Sequence, residues 1–406
     1  MSQPNIITFI MAGGKGERLF PLTRDRAKPA VPFGGVYRII DFTLSNCLNS
    51  GFHKIHVLIQ YRSISLARHI RLGWDIFDLQ LGNYIDVVPA QHRVGESWYK
   101  GTADAIYQNI YIVDNEKPDY CFILAGDHVY KMDYRNMVNF HLEKNAEFTL
   151  GVVRMPKDKS SQLGVCEVNE EGRLIGFEEK PRNPKTIFQD PDYVYASMGI
   201  YFASTAVIKE ILTEDAKATS HHDFGKDVIP AIYKKRKVFA YDFQNREKYG
   251  NYWRDIGTLD AYYQANMDLI QVTPTFNLYD QEWPIRTFQG QYPPAKTVYD
   301  GSWDPSRKGE AIQSLLSNGV VVSGGRVIRS VLSSNVRVNS FSLVEDSVLM
   351  EGVDIGRYAK IKCAIIDKDV KIPQHMEIGY DPESDKKRFF VTESGITVVA
   401  KGEKIV

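Results

Sequence analysis

From residue 6 to about 280, short apolar runs alternate with longer amphipathic stretches. KIHVLIQ (54–60), YCFILAGD (120–127), FTLGVVRM (148–155), VYASMGIYFA (194–203) and KVFAYDF (237–243) have the length and β-branched or aromatic content of buried strands. Between several of them, segments such as 102–116 and 132–145 carry helical spacing. Strands that alternate with helices predict an α/β, Rossmann-like, mostly parallel sheet covered on both faces. In such sheets ligands collect beyond the carboxyl ends of the strands. The glycine-rich stretch after the apolar run 6–12, and AGDH at 125–128, both fall at such ends.

The pattern changes between 283 and 312, a Pro-, Gly- and Trp-rich stretch with little periodicity that reads as a connector. Beyond it lies a repeat. SVLSSNVRV begins at 330, SVLMEGVDI at 347 and AIIDKDVKI at 364, so the blocks start 17 residues apart. Val336/Val338, Val353/Ile355 and Val370/Ile372 are equivalent positions, with Val320/Val322 one coil earlier. No helical period produces this. Three short strands with their corners close a coil of about 17 or 18 residues, so the repeat predicts a parallel β-helix. The expected division is therefore residues 1–282, a connector 283–312, and a β-helix domain 313–406. The open edges of such a coil favour an oligomer.

Composition narrows the function classes. Hydrophobic content of 43% and charged content of 25% are those of an ordinary globular protein. Fifty basic and fifty acidic residues cancel, so no overall field favours nucleic acid or a membrane surface. Cys47, Cys121, Cys166 and Cys363 are scattered without a CxxC pair, which suggests free thiols in a reducing compartment. With no basic leader and no apolar run near the ~20 residues of a membrane span, the expected location is the cytoplasm.

The candidate chemistry begins at Gly13-Gly14-Lys15-Gly16-Glu17-Arg18. No Gly-Lys-Ser/Thr closes this loop, and Leu19 stands where a dinucleotide fingerprint has its third glycine, so neither familiar phosphate loop fits. Glycines still let backbone N–H groups approach an anion. Arg18 can fork onto a phosphate, with Lys28 a second charge nearby. Asp127 in ILAGDHVY and Asp255 in YWRDIGT are strand-end carboxylates of the type that holds Mg²⁺ over a triphosphate, although either alone could be a cap or a salt-bridge partner. Lys180, in GFEEKPRNP, follows a strand pattern and precedes a proline turn, where a surface lysine is the usual occupant. Tyr99 and Gly101 precede a helix whose start could read a base or simply be capped.

Taken together, GGKGERLFPLTRDRAKPAVPFGGVYRIIDF, LSNCLNSG, PAQHR, WYKGTADA, LAGDHVY, EEKP, SMGIY, HDFGKDVIP and YWRDIGTLDAYYQAN closely resemble the glucose-1-phosphate adenylyltransferases, the bacterial ADP-glucose pyrophosphorylases. GGxGxRL belongs to sugar nucleotidyltransferases in general, whereas RAKPAV, SNCLNSG, GTADA and HDFGKD are specific to the ADP-glucose branch. The resemblance implies a nucleotidyltransferase domain followed by a left-handed β-helix used for oligomerisation and regulation. It also implies a homotetramer, phosphorylated allosteric effectors, and synthesis of ADP-glucose and pyrophosphate from ATP and α-D-glucose 1-phosphate for glycogen or related α-glucan.

Carried onto this chain, the family's ATP contacts fall on Gly13, Gly14, Arg18, Lys28, Gln91 and Gly101. Its Mg²⁺ ligands fall on Asp127 and Asp255, and its glucose 1-phosphate contacts on Tyr99, Gly164, Glu179, Lys180 and Ser197. Arg18, Lys28, Asp127, Lys180 and Asp255 form the implied catalytic set. One departure is Asp25, where enteric-type relatives carry a lysine used in sugar-bisphosphate activation. The remaining alternatives are a pyrophosphorylase for another nucleotide, a non-catalytic regulatory subunit, and an acyltransferase fusion in which His375 is the lone candidate base.

Overall fold

The computed structural model describes residues 4–91, 98–188, 190–302, 304–403 and 405. They form two units: Met1–Gly14, Phe42–Ser63 and Trp74–Trp253 in the first, and Lys15–Asp41, Ile64–Gly73 and Arg254–Val406 in the second.

The first unit is built on a nine-stranded sheet. Its strands are β1 (Ile6–Met11), β2 (Lys54–Ile59), β3 (Tyr84–Pro89), β4 (Tyr120–Ala125), β5 (Phe148–Pro156), β6 (Gly164–Val168), β7 (Leu174–Glu179), β8 (Tyr193–Ser204) and β9 (Val238–Asp242). The order β7-β6-β8-β4-β1-β2-β3 places β1 at the centre of a parallel group formed with β2, β3 and β4. β8 runs antiparallel to both β4 and β5, and its register shifts between Ser197 and Tyr201, where Gly199 has φ +64°. That shift is a bulge, and bulges re-aim side chains. Ile7, Phe9, Ile123, Phe148, Leu150, Ile208 and Phe224 are buried together in the core of this unit.

The helical stretch 102–116 is two helices, α1 (Thr102–Tyr107) and α2 (Ile110–Glu116). The Asn109 side-chain amide donates to the Ala105 carbonyl at 2.8 Å, and the Asn109 backbone N–H turns to Ile106 instead. A short polar side chain has displaced the backbone ladder at that point. The expected helix at 132–145 is α3 (Tyr134–Glu143), whose first turn is capped by Asp133. Ser204 caps α4 (Thr205–Lys217).

In the second unit the repeat forms a parallel β-helix of three sheets. Val322, Val338, Ile355 and Ile372 stack in register, all buried. Each contributes ~1.5–3 kcal/mol by leaving water. The first coil draws Lys296–Val298 and Glu310–Ile312 from the Pro- and Gly-rich stretch. Corner residues recur in the left-handed region one coil apart, as at Asn335, Gly352 and Asp369. At the column Phe341, Tyr358, His375 the rings stack at 5.0 and 4.9 Å, a packing gain that accompanies an unfavourable dihedral. His375 ends that ladder. The basic cluster near 386 reads in sequence as a solvated turn. It is instead part of a helix, Pro382–Arg388, with Asp385 buried and bound to Gly379 N–H and Arg388.

Candidate active site

In the first unit, a wall of side chains runs from the start of α1 to the end of β7. Antiparallel pairing sets Gly164 opposite Glu179. A Cβ on Gly164 would lie 2.5 Å from the Phe177 ring and 2.9 Å from the Glu179 carboxylate, so only glycine allows this approach. A Cβ on Gly225 would lie 2.6 Å from the Glu179 carboxylate and 3.4 Å from that of Asp223, so both carboxylates approach this glycine. Burial pushes the Glu179 carboxyl above its ordinary value; Lys180 opposes this and Asp223 adds to it. Lys180 itself sits at φ +51° with its ammonium 3.6 Å from Glu179 and nearly half exposed, available to a second anion. Ser197 lies in β8 just before the bulge.

Asp223 continues the wall. It accepts from Thr102 Oγ1 at 3.0 Å and caps the turn after it through Gly225 and Lys226 N–H. Tyr99 is tethered through its hydroxyl by the Asn109 amide at 2.8 Å. The start of α1 is not an open anion site, because Ala103 and Asp104 N–H both donate to the His222 carbonyl. Any reading of a base by this segment therefore falls to the backbone at Gly101. Gln91 is exposed, and His92 and Arg93 of the same motif lie outside the described residues.

Asp127 follows β4, and its carboxylate is 30% exposed and 3.5 Å from His128 Nε2. The His128 ring meets Trp253 edge-on at 4.9 Å. An accessible oxygen donor at a strand end suits a hard divalent cation. Gly13 packs against Gln60, where a Cβ would sit 3.2 Å from its Cβ, whereas Gly14 faces open space.

In the second unit, Arg18, Lys28 and Asp255 converge. Gly16 has φ +64° and lies so close to Thr23 and Lys28 that a Cβ would be 3.0 Å from each, so this glycine shapes the turn. Lys28, buried in the short turn Lys28–Ala30, pairs with Asp255 at 2.8 Å. A Cβ on Gly257 would lie 3.0 Å from the Asp255 carboxylate and 3.3 Å from the Arg18 guanidinium, so both groups crowd this glycine.

The second unit also contains a cavity of about 660 Å³ lined by cations: Arg26, Arg38, Arg68, Lys368 and Lys401. Asp25 and Glu351 are carboxylates in the same lining. Burial lowers the Arg38 guanidinium and the Lys368 ammonium from their ordinary values, with Asp41 and Glu351 respectively opposing. Arg26 is the most firmly held, bidentate to Asp367 at 2.9 and 3.1 Å with both side chains buried.

Asp223, Thr102 and His222 carry the connectivity of the first-unit wall, yet the sequence gives them no role beyond membership of the GTADA and HDFGKD motifs. Among the described residues, no helix is long and apolar enough to cross a membrane.

Two family descriptions match the chain: Nucleotidyl transferase over residues 7–272, and GlmU-like, C-terminal hexapeptide over residues 293–399. The chain is 52% identical to a glucose-1-phosphate adenylyltransferase of Rhodopirellula baltica, covering 98% of this chain and 90% of the relative. It is 50% identical to one from an Anaeromyxobacter species, covering 98% and 99%. It is 49% identical to glucose-1-phosphate adenylyltransferase 2 of Vibrio cholerae, covering 97% of each.

Proposed function

The chain belongs to the glucose-1-phosphate adenylyltransferase family, and on that premise we propose that it transfers the adenylyl group of ATP to α-D-glucose 1-phosphate, giving ADP-glucose and pyrophosphate for glycogen or related α-glucan synthesis in the cytoplasm. The observation that carries this reading is the 52% identity along almost the whole chain. It is supported by the presence of every cation and carboxylate the chemistry needs.

A sugar phosphate with a second pKa near ~6 is largely dianionic at neutral pH. Its oxygen attacks the α-phosphorus of ATP, a new P–O bond forms, and the bond to the β-phosphate breaks with its electrons leaving on pyrophosphate. No general base is required. The protein's tasks are alignment and neutralisation of charge. Arg18 and Lys28 face the triphosphate, with Gly13 and Gly14 giving its oxygens access to backbone N–H groups. Gln91 and Gly101 flank the adenine. Lys180 holds the sugar phosphate, while Tyr99, Gly164, Glu179 and Ser197 surround the glucose. Asp127 and Asp255 are each the kind of hard oxygen donor that Mg²⁺ takes, and Mg²⁺ would offset charge on the triphosphate.

The cationic cavity of the second unit fits a phosphorylated effector, and Asp25 in its lining disfavours fructose 1,6-bisphosphate by repulsion. The repeat domain serves assembly and regulation. We expect four copies of the 46.3-kDa chain per particle, a mass that light scattering measures directly. A persistent monomer would remove the repeat's assembly role.

Initial rates with purified protein, ATP and glucose 1-phosphate test the activity. Repeating them with UTP, dTTP, CTP and GTP, and with a panel of phosphorylated metabolites, tests nucleotide choice and regulation. Turnover restricted to another nucleotide, or none by the homomer, would overturn the reading. Lys180→Ala is expected to raise the KM for glucose 1-phosphate about 100-fold while the KM for ATP stays within about 2-fold. An effect confined to ATP would contradict the role given to Lys180.

A further inference from the structure

We propose that Asp215 and His222 form a clamp that holds the Gly101–Thr102 backbone in place for ATP, which makes His222 a positioning residue for the adenine. The inference rests on the reading that Gly101 flanks the adenine.

The clamp is visible from both sides. His222 lies at φ +54°, a region that non-glycine residues seldom occupy and that persists only where the surroundings hold it. This turn sends the His222 carbonyl into the start of α1, where it accepts from Ala103 N–H at 2.8 Å and Asp104 N–H at 3.2 Å. What holds the turn is the imidazole. It is 11% exposed, with Nδ1 2.9 Å from Asp215 Oδ2 and 3.1 Å from Ser220 Oγ. Ser220 Oγ donates to Asp215 Oδ1 and accepts the His222 backbone N–H, which closes the loop. Asp215 itself sits in α4, a thirteen-residue helix whose Ile208, Ile211 and Leu212 are buried. A rigid element is therefore connected through one side chain to the carbonyl that fixes the beginning of α1.

On the other side, Gly101 packs directly against this strap. Its φ of −157° is open to any residue, so glycine is required by proximity alone. A Cβ there would lie 2.3 Å from the His222 carbonyl oxygen and 2.4 Å from that of His221. Thr102 is fixed a second time, donating to Asp223 and accepting from Phe224 N–H. A segment held this way meets its ligand preorganised, and the ordering cost is not drawn from binding. Tyr99 is held separately, through its hydroxyl, by the Asn109 amide, so loosening the clamp is expected to act on the backbone beside the nucleotide rather than on this sugar contact.

The test is steady-state kinetics on full-length variants, with thermal midpoints measured alongside. Asp215→Ala is expected to raise the KM for ATP about 10-fold while kcat stays within about 3-fold and the KM for glucose 1-phosphate within about 2-fold. Asp215→Asn keeps an oxygen acceptor for the imidazole N–H and is expected to stay within about 3-fold of the parent in all three. His222→Gly adopts the same dihedral without strain but has no imidazole, so it should behave as Asp215→Ala if the side-chain anchor is what matters. An unchanged KM for ATP in Asp215→Ala, or a uniform loss in kcat and both KM values alongside a lowered midpoint, would overturn the clamp. Gly101→Ala separates the two readings. If it raises the KM for ATP while Asp215→Ala does not, the adenine contact stands and the clamp falls. If neither variant alters ATP binding, both fall.

Discussion

Asp127→Asn is expected to lower turnover by ~10²–10³-fold, measured as kcat at saturating ATP, glucose 1-phosphate and Mg²⁺. The substitution is nearly isosteric and sits beyond the last residue of β4, so the sheet register from Ile6/Tyr120 to Met11/Ala125 does not depend on it. What changes is one full negative charge offered to a hard cation. Because the charge to be offset is greatest as pyrophosphate departs, the loss should fall on kcat more than on either KM. The thermal midpoint should stay within a few degrees of the parent. Parental turnover in the variant would take Asp127 out of the chemistry, and a large drop in midpoint would show the residue to be structural instead.

Arg26→Ala is expected to cost ~3–5 kcal/mol of stability, measured as a fall in the urea midpoint monitored by far-UV circular dichroism. The Arg26 and Asp367 side chains are only 6% and 2% exposed and are joined by two hydrogen bonds. Truncating the cation leaves a carboxylate in a low-dielectric site with the Lys368 backbone N–H as a remaining partner. That penalty exceeds what any exposed pair on this chain could contribute, since surface pairs give ~0–1 kcal/mol. The double variant Arg26→Ala/Asp367→Ala should recover part of the loss, because the uncompensated charge is gone. A single variant that unfolds at the parental midpoint would mean that water reaches Asp367, against its burial here.

The sequence was most informative where one physical period dominated. The run 148–155 was readable as a strand because Phe148, Leu150, Val152 and Val153, all buried, supply apolar side chains to both faces of the sheet. The 17-residue spacing of Val336, Val353 and Val370 was readable as a coil because each valine points into the same stacked interior. The helical spacing over 102–116 does not reveal a local competition, in which the Asn109 amide takes the carbonyl its own backbone would have used. Spacing alone does not register a side chain that substitutes for a backbone donor.

The candidate site divides in the same way. Residue type and motif were enough to single out Arg18, Lys28, Asp127, Lys180 and Asp255, because anion and cation binding demand those functional groups. Their partners were not legible. Lys28 meets Asp255 across 227 residues of chain, and Arg26 meets Asp367 across 341. The His222 carbonyl reaches α1 from more than a hundred residues away. Hydrophobic period and glycine placement act over a few residues and so are written locally: they decide which segments are strands, which stretch coils, and which loop can approach a phosphate. Charge pairing and the closing of a helix end depend on where distant segments come to rest, and only the packed chain, which removes those groups from water and forces each to find a partner, decides them.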